Sequence, residues 1–225
     1  MNYEIKGEPF PVVICNLNSG ESVKCQAGAM AWMSPNMDMK TQTGGLSKMF
    51  GKALTGESLF ENVYTAANGE GMISFATGVP GKILAVKLEG GKTIIAQKRS
   101  FLASSTTIEM QTAVQKKFGA GLLGGEGFIM QKFSGEGDLF LEIDGSVIEY
   151  NLAPGQSMLV DTGSLACMEG TVQMDVESVK GLGNKLAGGE SFFNTKLTGP
   201  GKIWLQTMPV SSLANAIKPF IPTGR

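Results

Sequence analysis

The side chains that could do chemistry are few. The 225-residue chain has no histidine. That removes the usual general base, the Ser-His and Cys-His nucleophile pairs, and imidazole metal ligands. The three cysteines, Cys15, Cys25 and Cys167, show no C-x-x-C spacing, and an odd count argues against a disulfide framework. They read as small core residues. The run from Gly45 to Gly51-Lys52 has the look of a phosphate loop, but five residues intervene instead of four. Ala53 also stands where a Ser or Thr would meet magnesium. No catalytic residue, metal site or cofactor is expected.

Three sets of charged residues remain, the third being lysines in glycine-rich loops. Glu57, Glu126 and Glu190 recur in a short phrase: Gly56-Glu57-Ser58-Leu59-Phe60, Gly125-Glu126-Gly127-Phe128-Ile129 and Gly189-Glu190-Ser191-Phe192-Phe193. No partner repeats beside them, so they read as carboxylates that accept backbone N–H bonds and fix a turn. Lys98 and Arg99 form the second set. Gly28 and Gly163 occupy the place equivalent to Arg99, so a guanidinium there is a candidate anion contact, against a solvated turn as the plainer reading.

The phrase belongs to a unit used three times. Gly20, Gly91 and Gly155 anchor it, each with a leucine three residues before: Leu17, Leu88 and Leu152. Ten residues after each anchor stand Met30, Phe101 and Leu165; then come Met37, Ile108 and Val172, followed by Met39, Met110 and Met174. A fixed period of this kind points to an array of equivalent modules. Apolar residues alternate around the methionines (Ile108, Met110, Thr112, Val114) and before the anchors (Val12 and Ile14; Leu84, Val86 and Leu88). Alternation marks half-buried strands, and the anchor glycines read as hairpin turns. The expectation is an all-β fold of three modules at about 1–78, 79–143 and 144–208. A tail at 209–225 holds a short C-terminal helix capped by Ser211 or Ser212, stopped by Pro219, and covering an open edge.

Composition agrees with a packed core: 42% apolar and 17% charged residues, with a net charge of −1 that offers no bulk attraction to nucleic acid. The N-terminal residues lack a signal-peptide pattern and no apolar run is long enough to span a bilayer, so the expected location is cytoplasmic. Each unit also holds a glycine-rich loop with two lysines: Lys48 and Lys52, Lys116 and Lys117, Lys180 and Lys185. Beside them lie Phe50, Leu54, Phe118, Leu122, Leu123, Leu182 and Leu186. These are candidate contacts for an anionic surface. Each lysine near such a membrane contributes about 1 kcal/mol before screening, and the apolar residues could insert shallowly.

On the Gly-Glu phrase, on Lys98-Arg99-Ser100-Phe101-Leu102-Ala103 and on the glycine-rich loops, nearly the whole chain resembles a bacterial domain-of-unknown-function family. That family is related to the mitochondrial altered-inheritance-of-mitochondria proteins. The resemblance implies a TRAP-like fold, similar to the tryptophan RNA-binding attenuation protein: three short double-stranded β-helix modules in a pseudo-threefold arrangement. Three chains would then make a nine-module ring. The expected function is a non-enzymatic scaffold, a homotrimer, peripheral to a membrane in one version. RNA binding by fold analogy and a small ligand held between modules are the alternatives.

Overall fold

The computed structural model describes residues 1–43, 60–116, 128–178 and 193–221. These fold almost entirely as strands. The first is β1 (Asn2–Lys6), followed by β2 (Val12–Leu17), β3 (Ser22–Gln26), β4 (Met30–Met33), β5 (Met37–Thr43), β6 (Phe60–Ala66) and β7 (Gly71–Ala76). Six more follow: β8 (Gly81–Leu88), β9 (Ile94–Gln97), β10 (Phe101–Ser105), β11 (Glu109–Lys116), β12 (Phe128–Ser134) and β13 (Gly137–Asp144). The last six are β14 (Val147–Leu152), β15 (Ser157–Asp161), β16 (Leu165–Glu169), β17 (Gln173–Ser178), β18 (Phe193–Thr198) and β19 (Gly201–Gln206). Helix α1 (Val210–Ile217) closes the described chain.

The strands make four antiparallel sheets. Sheet 1 has the order β1-β2-β7-β4, sheet 2 β5-β6-β3-β10-β13-β8, sheet 3 β11-β12-β9-β16-β19-β14, and sheet 4 β15-β18-β17. One set of pairings recurs: β2 with β7, β8 with β13, β14 with β19. The partners β4–β7, β10–β13 and β16–β19 each carry a bulge at the matching place, between Met30 and Trp32, Phe101 and Ala103, Leu165 and Cys167.

The anchor glycines do turn the chain tightly, but they do not make hairpins. Gly20, Gly91 and Gly155 have φ of 81°, 80° and 77°, and each turn is closed by a backbone bond, such as Glu21 N–H to the Asn18 carbonyl at 2.9 Å. The strands they join lie in different sheets: β2 in sheet 1 and β3 in sheet 2, β8 in sheet 2 and β9 in sheet 3. The Gly-x-Gly turns after β6, β12 and β18 cross between sheets in the same way. Each six-strand segment is thus split between two sheets, with an apolar core between the layers.

Three clusters fill the gaps between successive sheets. Val13, Cys15, Phe75 and Phe140 belong to the first, Leu88, Phe133, Leu141 and Trp204 to the second, and Leu152, Leu165, Leu197 and Ile203 to the third. Full burial of such a side chain contributes about 1.5–3 kcal/mol. In β2 the buried face is Val13, Cys15 and Leu17 rather than Val12 and Ile14. Cys15 and Cys25 sit on different sheets and share one core; all three cysteines are free and buried. Burial pushes the Cys15 and Cys25 thiols up to about 12 and raises Cys167 as well.

Helix α1 begins one residue before the expected cap. Pro209 is its N-cap with no side-chain cap bond, and the Asp144 carboxylate accepts the Val210 N–H at 2.8 Å. The α-helix ends at Ile217, just before the expected stop at Pro219, which sits within a 3-10 turn at Lys218–Phe220.

Two glycines separate conformational from steric demand. Gly20 has positive φ and open space around a would-be Cβ, whereas at Gly135 (φ 110°) that atom would lie 2.3 Å from the Thr107 carbonyl oxygen. Gly20→Ala should therefore cost about 1–2 kcal/mol. Gly135→Ala should cost roughly 3 kcal/mol once the backbone clash is added. Urea denaturation of the two variants checks the order; equal losses would contradict it.

Candidate functional site

Polar side chains converge where the turns between β3 and β4, β9 and β10, and β15 and β16 meet α1. The turn after β9 is a 3-10 turn, Lys98–Ser100, and that after β15 is another, Thr162–Ser164. Gly28 needs its left-handed φ of 85°, but Gly163 sits at negative φ, as Arg99 does in its turn. Arginine at position 99 therefore changes chemistry without relieving the backbone. The Gly163 carbonyl accepts Gln97 Nε2 at 3.2 Å and Gln206 Nε2 at 2.8 Å, and the Leu165 carbonyl accepts Gln97 Nε2 at 2.6 Å. These two amides pin the third turn against the second.

A cavity of about 780 Å³ opens at this rim, within the size range of small-molecule sites. Exposure falls along its lining, from Arg99 in solvent through half-buried Glu142 and Asp144 to Gln131, which is 4% exposed. Glu142 and Asp144 alternate on β13 and so share one face. Glu142 accepts the Gly78 N–H at 3.0 Å. Burial raises the Glu142 carboxyl; the Gly78 bond and the Arg99 guanidinium pull it back, and the Asp144 charge pushes it up again. Burial likewise raises Asp144, against the Val210 N–H and Arg99.

Gln131 is the anomaly. Its Oε1 is buried and accepts no hydrogen bond. It pairs with Ala96, as Asn62 pairs with Cys25 and Thr195 with Val160 in the matching ladders. Asn62 accepts the Thr41 hydroxyl at 3.1 Å, and Thr195 bonds the Thr162 hydroxyl at 3.0 Å. Only the middle position is left with an unmet acceptor.

Of the residues the sequence singles out, Lys98 and Arg99 lie on this rim, Lys98 partly buried and Arg99 exposed. Lys116 ends β11. Lys48, Lys52, Lys117, Lys180 and Lys185 lie outside the described residues. So do Phe50, Leu54, Phe118, Leu122, Leu123, Leu182, Leu186 and the three repeated glutamates. Sequence reasoning missed Gln131, Glu142 and Asp144. A signal existed: Glu142 takes the ladder place of Ala76 and Gln206, so the middle unit alone is acidic there.

A second surface lies at the two ends of the sheet stack. Sheet 3 contacts a fourth sheet of only three strands, and sheet 1 has four. β4 and β15 are edge strands, and they carry Trp32, Met33 and Leu159 exposed at 47%, 37% and 66%. On β14, Ile148 and Tyr150 are also exposed. Their ladder counterparts Val13 and Cys15 on β2 are fully buried.

Together these observations define a class: an all-β chain of antiparallel sheets with buried thiols, a polar cavity at one rim and, among the described residues, unpaired edges at its two ends. A family model described as mitochondrial biogenesis AIM24 matches residues 3–208, and the chain belongs to that family. It is 28% identical over 225 residues to an uncharacterised protein of Streptococcus pyogenes serotype M6, covering 96% of this chain and 88% of that one. The crystal structure of a Streptococcus pyogenes protein is similar in fold, with a TM-score of 0.80 at 24% identity, covering 98% of this chain and 99% of that chain.

The raised carboxyls have a consequence for stability. A carboxyl held above its ordinary value keeps its proton longer in the folded than in the unfolded chain. Stability therefore falls as pH rises from the ordinary carboxylate value to the raised one, and stays lower above it. Glu142→Gln should flatten that fall. Denaturation midpoints between pH 4 and pH 8 check it; an unchanged profile would show that burial of Glu142 carries no cost.

Proposed function

We propose that the chain is a non-enzymatic scaffold that assembles head to tail with copies of itself, built from three tandem TRAP-like modules. The observation that carries this reading is the pairing left out at the two ends. Inside the chain, β3 pairs with β10 through Cys25 and Ala103, and β9 pairs with β16 through Ala96 and Cys167. The third member of the series would join β15 to β4, and both are unpaired edges on that side among the described residues. Carrying the register forward sets Val160 opposite Trp32, Leu159 opposite Met33 and Met158 opposite Ser34 of the next copy.

Such pairing would complete a sheet β17-β18-β15 with β4-β7-β2-β1 of the neighbour. The added half-sheet would cover Ile148 and Tyr150, as β8, β10 and β13 cover Val13 and Cys15 within the chain. Unpaired backbone groups flanked by large apolar side chains are a template for association. The two ends differ, so the contact is heterologous and must close a ring or grow a filament. Three chains of 23.7 kDa closing one ring is the expected assembly.

Light scattering on the purified chain tests the reading. A mass near three chains supports it. Ile148→Lys with Tyr150→Lys, at positions exposed in the single chain, should dissociate the assembly to 23.7 kDa. Unpaired charges would otherwise be buried there at a cost of several kcal/mol. A wild-type monomer at micromolar concentration would overturn it.

A further inference from the structure

We propose that the rim cavity binds a small organic cation, an amine with an apolar body. The wall asks for hydrogen-bond donors. Gln131 lines the cavity, and its Oε1 is a buried acceptor with nothing bound to it; such an atom costs about 1–3 kcal/mol unless a small side-chain rotation brings it to a donor. Glu142 and Asp144 line the same space with carboxylates, each engaged among the described residues by one backbone N–H. A carboxylate has about four lone-pair sites, so both retain capacity to accept. The lining also carries an apolar patch of Phe101, Met110, Phe128 and Ile129, with the third carboxylate Glu61 and the two cations Lys98 and Arg99 around it. A protonated amine supplies up to three donors and a positive charge. Its hydrocarbon part would cover the apolar wall.

Selective divergence within the repeat supports a ligand over a packing accident. At the ladder place of Gln131 the other two units close their own hydrogen bonds. At the place of Glu142 they carry Ala76 and Gln206. At the place of Arg99 they carry glycine. Three changes in one unit fall around one cavity. Arg99, exposed at the opening, acts on the two carboxylates by its charge and would swing into solvent when a cation enters.

The site is formed within one chain, so it stands apart from head-to-tail assembly and its test does not depend on it. Calorimetric titration of the full chain with hexylamine, hexanol and hexanoate reads it directly. Hexylamine should bind saturably and at least about tenfold more tightly than either of the others. NMR should show the Gln131 side-chain amide signals moving with hexylamine. Glu142→Gln and Gln131→Leu should each weaken binding about tenfold. Gln131→Leu removes the Nε2 donor as well as the unpartnered oxygen, so its Tm serves only to show that the variant is folded at the titration temperature. No saturable binding, hexanol binding as well as hexylamine, or unmoved Gln131 signals would each overturn the proposal. So would a folded Gln131→Leu chain that binds as wild type.

Discussion

The fold depends on one constraint: no six-strand segment keeps its strands in one sheet. Three strands of each go to one layer and three to the next. A backbone N–H or carbonyl inside a protein needs a partner, so each half-sheet must find the complementary half of a neighbouring segment. Two such junctions form within the chain, at β3–β10 and β9–β16. The cores follow from the same split. Each cluster mixes residues from two successive segments, as Phe140 of β13 packs with Val13 and Cys15 of β2. Stability is therefore shared along the stack, as in repeat proteins whose units lean on their neighbours.

Much of this was legible in the residues. Alternating apolar positions marked the strands, and the thrice-used glycines marked the turns. The buried cysteines follow from their counterparts: Val86 and Ala96 occupy the matching places of Cys15 and Cys25. Layer crossing was not legible. A glycine at positive φ serves a hairpin and a between-sheet turn equally well, because φ is local and strand pairing is not. The face of β2 was misread for a related reason. Val12, Val13, Ile14 and Cys15 are all apolar, and a continuous run does not tell one face from the other. The start of α1 was misread because its first N–H is met by Asp144, 66 residues upstream, which no local capping pattern reveals.

The candidate site was half legible. Arg99 stood out because glycine fills its two counterparts, and it does lie on the cavity rim. Gln131, Glu142 and Asp144 lie on strands where polar residues normally face water. Only the stacking of sheets 2 and 3 with α1 brings them to one cavity. The lesson is physical: where matching ladder places carry similar residues, a candidate site shows as the place where one six-strand segment departs from the other two in several side chains at once.

Amide hydrogen exchange at β4 and β15 tests the split-sheet account most directly. If these edges complete a sheet between copies, their amides gain protection as protein concentration rises, while β9 and β16 stay protected throughout. Fast exchange at β4 and β15 that is indifferent to concentration would contradict it.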